Sequence, residues 1–162
     1  MRNVRQLLRV IGTFAVLLAA TSNIRAQAPI PLLERARGAE RVVVGRAASS
    51  TPIWQVNEHG DRLIVTVVRV AIEETLKGPT TAVLDLEIEG GTIGDLTLRV
   101  SDQAPFVPGE RAVLYLRRTP RGSFAPHLRS QSLLKMDASN RVEGSSLTLN
   151  DIRRELAAAN VR

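Results

Sequence analysis

The fold class of this 162-residue chain is decided by one stretch of its sequence, residues 62–76, which reads RLIVTVVRVAIEETL. Its even-numbered positions are mostly apolar and include Ile64, Val68, Val70, Ile72 and Leu76. The odd-numbered positions begin apolar and turn polar at Arg69. A strand that is buried on both faces at one end and on one face at the other belongs in a sheet that curls. This stretch therefore predicts a long strand in a strongly curved sheet.

Further strand patterns lie before and after this stretch. Residues 41–48, RVVVGRAA, predict a first strand in which Gly45 forms a bulge or bend. Residues 110–118, ERAVLYLRR, predict another strand, and residues 124–136 predict one or two more. The strand signals thus cover most of the chain after residue 40.

A hairpin is predicted between two alternating runs. Residues 83–89 place apolar side chains on one face, and their other face carries an acidic row, Asp85, Glu87 and Glu89. Residues 96–100 repeat the pattern, and the positions expected to point inward are Leu96, Leu98 and Val100. Residues 90–94, GGTIG, would connect the two strands, and Arg99 would lie across from the acidic row.

Helices are predicted at both ends of the strand region. Residues 31–37, PLLERAR, predict a short helical turn. Thr148 and Asp151 have the spacing of a capping box and predict a helix over residues 149–159. The side of that helix expected to be buried carries Ile152 and Leu156. We therefore expect a mainly β protein: a small closed or partly open barrel of five to six strands, with a C-terminal helix.

The first 28 residues predict a secretory signal peptide. Arginines at positions 2, 5 and 9 precede an uncharged apolar run over residues 10–20, and a small-residue exit ends in Ala26-Gln27-Ala28. This run is shorter than the roughly 20 residues of a membrane-spanning helix, which disfavours the alternative of an uncleaved anchor. Cleavage is expected after Ala26, or else after Ala28, which would place Pro29 at the new N-terminus. The protein is thus predicted to be exported, periplasmic or secreted, with no membrane anchor after cleavage.

Cleavage would divide the chain into four parts and change its charge. The predicted organisation is a signal peptide (1–26), an N-terminal segment (27–40), a β-barrel domain (41–136) and a C-terminal linker and helix (137–162). The signal peptide contains four of the 22 basic residues and none of the 16 acidic ones, so 18 basic residues remain and the net charge falls from +6 to +2. A nearly balanced chain argues against a nucleic-acid partner. The absence of cysteine means that burial alone must stabilise the fold.

Residue types that carry catalysis are scarce in this sequence. The two histidines, His59 and His127, show no metal-ligand spacing, and there is no cysteine to complete a zinc site. The acidic row gathers oxygen atoms that suit Ca²⁺, but neighbouring outward positions on one strand are more typical of a solvated face. We therefore expect a protein that is not an enzyme and that has no catalytic residues, metal or cofactor.

Three motifs follow one another in a recognisable order. They are the strand Arg41–Arg46 (RVVVGR), the strand end Glu73–Gly78 (EETLKG) and the strand Pro108–Leu116 (PGERAVLYL). In this order they resemble uncharacterised exported bacterial proteins similar to the netrin and tissue-inhibitor-of-metalloproteinase (NTR/TIMP-like) family. The resemblance covers residues 39–136 and implies a five-stranded oligonucleotide/oligosaccharide-binding (OB) barrel with flanking helices. The animal inhibitors chelate zinc through an N-terminal cysteine, and this chain has none, so their mechanism is not implied.

Two functions are compatible with these observations. The first is an interaction module that binds another exported protein, whose identity the sequence does not indicate. Its candidate anchor is Trp54, which we expect in a polar loop over residues 49–61, although Trp54 could instead cover one end of the barrel. The second is a domain that binds an oligosaccharide or another ligand on an OB-like face, with Trp54 and Tyr115 as the stacking residues.

Overall fold

The structure is a computed structural model that describes residues 30–57 and 59–160. The predicted signal peptide and both cleavage positions, Ala26 and Ala28, lie outside the described residues. The elements follow in the order α1 (Leu32–Gly38), β1 (Arg41–Val56), β2 (Arg62–Lys77), β3 (Val83–Glu89), β4 (Gly91–Ile93), β5 (Leu96–Leu98), β6 (Arg111–Arg118), β7 (Phe124–Pro126), a 3-10 helix (Arg129–Ser132), β8 (Leu133–Lys135) and α2 (Leu149–Ala158). The predicted mainly β fold with a C-terminal helix is confirmed.

Six of the strands form one sheet that closes on itself. Their order is β1-β2-β3-β7-β6-β8, and β1 also pairs with β6, so that five strands form a ring. The pairing of β3 with β7 is parallel and the other pairings in this sheet are antiparallel. The ring is not a regular barrel, because β7 has only three residues and meets β3 at the single pair Leu86↔Phe124. Strand β1 bends so that it pairs with both β2 and β6. The closed ring agrees with the curled sheet that the pattern of residues 62–76, now part of β2, predicts.

Gly45 allows this bend. The pairing of β1 with β2 shifts register between Val44 and Gly45, so the predicted bulge is confirmed. A Cβ atom on Gly45 would lie 2.6 Å from Val70 Cγ1 and 3.1 Å from the carbonyl oxygen of Ala71. Any larger side chain would therefore push β1 away from β2 at the point where the ring closes.

The hydrophobic core has two layers. The layer inside the ring contains aliphatic side chains from five strands together with Phe106 and Phe124. The outer layer lies between β1, β6 and the two helices, where Ile152 and Leu156 of α2 pack beside Ala36 of α1. Both faces of β1 are thus buried over its first five residues, since Val42, Val43 and Val44 contribute to opposite layers in turn.

The hairpin predicted between residues 83–89 and 96–100 is wrong. Strand β3 pairs with β2 and β7, whereas β5 pairs with β4, which occupies the predicted connection. Leu96 is 60% exposed rather than inward-pointing. In the acidic row, Asp85 pairs with Arg69 of β2 and not with Arg99. The two runs share an alternating pattern, but β5 belongs to a small two-stranded sheet outside the ring.

The loop predicted over residues 49–61 is also wrong in most of its length. Strand β1 continues to Val56, and only the turn from Asn57 to Asp61 remains. In that hairpin turn the Asn57 side chain accepts hydrogen bonds from the backbone N–H groups of His59 and Asp61. Trp54 therefore lies on a strand.

Both predicted helices are present and are held by side chains. The Lys77 ammonium donates to the carbonyl oxygens of Ala36 and Ala39, which are free at the C-terminal end of α1. At the other end of the chain, Thr148 and Asp151 form the predicted capping box of α2. In the part of the chain that the structure describes, no helix has the length and apolar character needed to cross a membrane.

We expect Thr148→Ala to lower the free energy of unfolding by about 1 kcal/mol, because the first turn of α2 loses its side-chain acceptor. Urea denaturation measures this change. The matched control is Ser146→Ala, since Ser146 lies two residues away and contributes only its backbone carbonyl to a hydrogen bond. Equal effects of the two substitutions would contradict the capping role of Thr148.

Candidate functional site

The far half of β1 is a sheet edge that, in the part of the chain described by the structure, has a strand partner on one side only. Strand β6 pairs with β1 from Arg41 to Arg46. The loop before β6 adds two backbone hydrogen bonds at Ala47. From Ser49 to Val56, β1 pairs with β2 alone among the described residues. We call this stretch, residues 49–56, the free edge.

Three contacts establish which backbone groups of the free edge point away from β2. The N–H of Asn57 donates to the carbonyl of Asp61, so this pair is hydrogen-bonded and every second pair along the ladder is as well. The carbonyl of Ile64, which lies opposite Trp54, accepts from Gly90 on the far side of β2. The carbonyl of Val56 accepts from the Arg121 side chain at 2.5 Å.

The same alternation gives the direction of the backbone N–H and C=O groups along the rest of the free edge. Thr51, Ile53 and Gln55 direct their backbone groups toward β2. The residues that direct theirs to the open side are Ser50, Pro52, Trp54 and Val56. Pro52 fits this assignment, because a proline within a sheet is tolerated where its missing N–H would face solvent. The open side thus presents N–H groups at Ser50, Trp54 and Val56.

Exposed apolar side chains accompany these backbone groups. Trp54 and Ile53 are each 38% exposed and Val56 is 52% exposed. The guanidinium of Arg62 lies over the Trp54 ring, 4.4 Å from its centroid. Trp54 belongs to neither core layer. Its position on an exposed strand favours the anchor interpretation over that of a cover for the barrel end.

Tyr115 has no comparable surface. It is fully buried in the outer core layer, and burial raises the pKa of its hydroxyl to about 12. This hydroxyl is buried without a hydrogen-bond partner among the described residues. The burial contradicts the predicted role of Tyr115 as a surface stacking residue, because neither face of its ring is open to a sugar or a base. The pattern of residues 110–118 predicts a strand at Tyr115, but it does not show that the helices cover one face of that strand.

A cleft of about 510 Å³ lies where the tip of the β1–β2 hairpin meets the turn between β6 and β7. Arg121 bridges the two turns through Val56, and Gln55 donates to the Glu87 carboxylate at 3.1 Å. We call this space the polar cleft. The side chains that line it include Leu63, Val65, Glu87, Glu89, Gln103, Arg117, Arg121, Ala125, His127 and Arg129.

An apolar groove of about 650 Å³ lies beside the free edge. Ser50 and Pro52 form one wall, and the segment from Pro105 to Val107 contributes to the lining. Its lining also includes core residues of the inner layer, Val68, Ile88 and Phe106. The groove thus leads from the free edge to the interior of the ring.

The described residues show no cluster of three or more histidine, aspartate and glutamate side chains suited to a metal ion. In the acidic row, Asp85 pairs with Arg69, Glu87 accepts from Gln55 and Ser123, and Glu89 lies 3.8 Å from Arg129. Asp85 and Glu89 thus have basic partners, whereas the two donors to Glu87 are uncharged.

The two histidines lie in different surroundings. His59 is exposed in the turn between β1 and β2. His127 lines the polar cleft and packs against Gly38, where a Cβ atom would lie 2.2 Å from its Nε2. Burial lowers the pKa of His127, and the nearby charges of Arg117 and Lys77 lower it further.

We expect His127 to make folding stability depend on pH. Its pKa is lower in the folded state than in the unfolded state, so the unfolded chain binds more protons between the two values. The full stability is present above the unfolded pKa of about 6.5 and falls as the pH decreases below it. In urea titrations between pH 7.5 and 5, His127→Gln is expected to remove this part of the decline, while His59→Gln preserves it. A decline unchanged in His127→Gln would contradict the assignment.

The free edge was not predicted from the sequence. One signal could have found it: Pro52 between β-branched and aromatic residues is compatible with an edge strand. The polar cleft carried no sequence signal, because its lining comes from separate segments spread between Gln55 and Arg129.

No protein-family model matches the chain, and no curated protein matches it in sequence.

Proposed function

We propose that this protein is an exported, non-enzymatic interaction module that binds an extended segment of another protein along its free edge. The observation that carries the proposal is the run of eight strand residues from Ser49 to Val56, which is mostly exposed and has a strand partner on one side only within the described part of the chain. Unpaired strand edges accept an added strand through backbone hydrogen bonds, and neighbouring pockets select its side chains.

The features around the edge favour a specific partner over unselective association. Pro52 interrupts the row of N–H donors and Arg62 adds a charge beside it, and both devices limit pairing with arbitrary strands. Trp54 offers the kind of large side chain that dominates binding energy at interfaces. Alternate side chains of an added strand would face the apolar groove, since Ser50 and Pro52 of the edge form its wall.

The proposal includes a finer description of the fold. We regard the ring as an OB-like barrel of the kind found in NTR/TIMP-like proteins, and its five ring-paired strands support this view. An oligosaccharide-binding role has less support. The lining of the polar cleft contains no Trp, Tyr or Phe among the described residues on which a sugar could stack.

Export is part of the proposal and has a test of its own. The basic start, the apolar run and the small-residue exit in residues 1–28 support it. The intact mass of the protein recovered from the periplasm or the medium is expected to correspond to a chain that begins at Gln27. A full-length mass, or retention in the cytoplasm, would contradict export.

The interaction itself is tested by affinity capture with matched variants. Wild-type protein and Leu96→Ala are expected to capture the same partner, whereas Trp54→Ala loses it. Leu96 is the appropriate control because it is an exposed apolar residue of the separate β4–β5 sheet. The thermal midpoint of Trp54→Ala is expected to stay close to that of the wild type, because Trp54 lies outside both core layers. Capture that survives Trp54→Ala, or a large fall in the midpoint, would overturn the anchor role.

A further inference from the structure

Opposite charges face each other across the floor of the polar cleft. Leu86 of β3 lies opposite Phe124 of β7, so the next residues along these parallel strands, Glu87 and Ala125, are neighbours. Ala125 in turn lies opposite Arg117 of β6. Because neighbouring strands are about 4.8 Å apart, the backbones at Glu87 and Arg117 are about 10 Å apart with only a methyl group between them.

These two charges do not neutralise each other. The Glu87 carboxylate accepts hydrogen bonds from Ser123 Oγ at 2.5 Å and Gln55 Nε2 at 3.1 Å, and both donors are uncharged. These two contacts hold it on its own side of Ala125. The guanidinium of Arg117 forms no hydrogen bond or ion pair within the described ranges. A charge without a partner at the wall of a cleft favours a ligand that supplies one.

Two further arginines line the cleft. Arg121 donates to the uncharged carbonyl of Val56 where the two turns meet, and it has no acidic partner among the described residues. Arg129 is shared between Asp102 at 2.9 Å and Glu89 at 3.8 Å. The cleft therefore has a positive wall on the side of β6 and β7 and a negative wall on the side of β3.

We propose that the polar cleft binds a zwitterionic ligand, a free amino acid or a short peptide, with its carboxylate at Arg117 and its ammonium group at Glu87. The volume of about 510 Å³ lies in the range of small-molecule sites. A guanidinium is well suited to hold a carboxylate through two parallel hydrogen bonds. The small side chain of Ala125 leaves room for the ligand between the two charges. This site is separate from the free edge and does not depend on the proposed interaction there.

The test is a titration of the purified protein followed by NMR. The probes are alanine, trialanine, and the singly charged acetate and methylammonium ions. At least one zwitterion is expected to shift the Ala125 methyl signal with millimolar or tighter affinity, while acetate and methylammonium bind about tenfold more weakly or not at all. Binding of alanine identifies a free amino acid as the ligand class, and binding of trialanine alone identifies a peptide.

Matched variants assign the two charges. Arg117→Gln is expected to weaken binding of the zwitterion at least about tenfold, and Glu87→Gln to weaken it by a similar factor. Arg99→Gln is the control, because Arg99 lines the apolar groove instead. The proposal is overturned if neither zwitterion shifts the Ala125 signal, if acetate binds as tightly as the zwitterions, or if Arg117→Gln binds like the wild type.

Discussion

Replacing Leu86 with alanine is expected to lower the free energy of unfolding by about 2–5 kcal/mol, whereas Leu96→Ala changes it by no more than about 0.5 kcal/mol. Leu86 is fully buried in the inner core layer and forms the residue pair with Phe124 that joins β3 to β7. Its truncation leaves a cavity at the closure of the ring. Leu96 is 60% exposed, so its truncation removes little buried surface.

Urea denaturation of the two variants and the wild type measures this difference. The comparison discriminates between the two sheet arrangements because both leucines lie in alternating apolar and polar runs that are similar in sequence. If Leu96→Ala lowers the free energy of unfolding as much as Leu86→Ala does, the pairing of β3 with β7 in the ring is contradicted. That result would instead support a hairpin between residues 83–89 and 96–100.

Proline substitution at two adjacent positions is expected to have very different effects on stability. Thr51→Pro removes an N–H that points toward β2 and leaves a carbonyl of that strand without its donor, at a cost of about 1–3 kcal/mol. Ser50→Pro removes an N–H that points to the open side. Its effect is expected to be well below that of Thr51→Pro, because Pro52 already occupies the equivalent position two residues later.

Thermal and urea denaturation of both variants provide the measurement. If the two substitutions destabilise the protein equally, the assigned alternation of backbone groups is incorrect. If Ser50→Pro is the more destabilising, the side of β1 described as open is already paired. Ser50→Pro is also expected to weaken partner binding, because it removes one of three outward N–H donors.

Much of the fold could be predicted because the relevant signals are local. The strand at residues 62–76 showed its alternation and its change of face, and Thr148 with Asp151 showed the start of α2. Gly45 indicated the bend in β1, because a glycine inside an apolar strand often marks a bulge or a bend. Each of these predictions depends on residues within one element.

The errors arose where partners are distant in the chain. Residues 49–56 have a polar composition typical of a loop, yet pairing with β2 extends β1 through them. The run at 96–100 alternates like a buried strand, but its partner is β4 and not β3. Tyr115 appeared available for stacking because the sequence does not show that α1 and α2 cover the outer face of β6. The polar cleft depends on the contact of Arg121 with Val56, which follows only from ring closure.

The most direct test of the free edge is amide hydrogen exchange across residues 49–56 in the isolated protein. The N–H groups of Thr51, Ile53 and Gln55 are expected to exchange slowly, because they are bonded to β2. Those of Ser50 and Trp54 are expected to exchange rapidly, and to become protected when the captured partner is added. Slow exchange at Trp54 in the isolated protein, or no added protection in the complex, would contradict the proposal that this edge receives a strand from another protein.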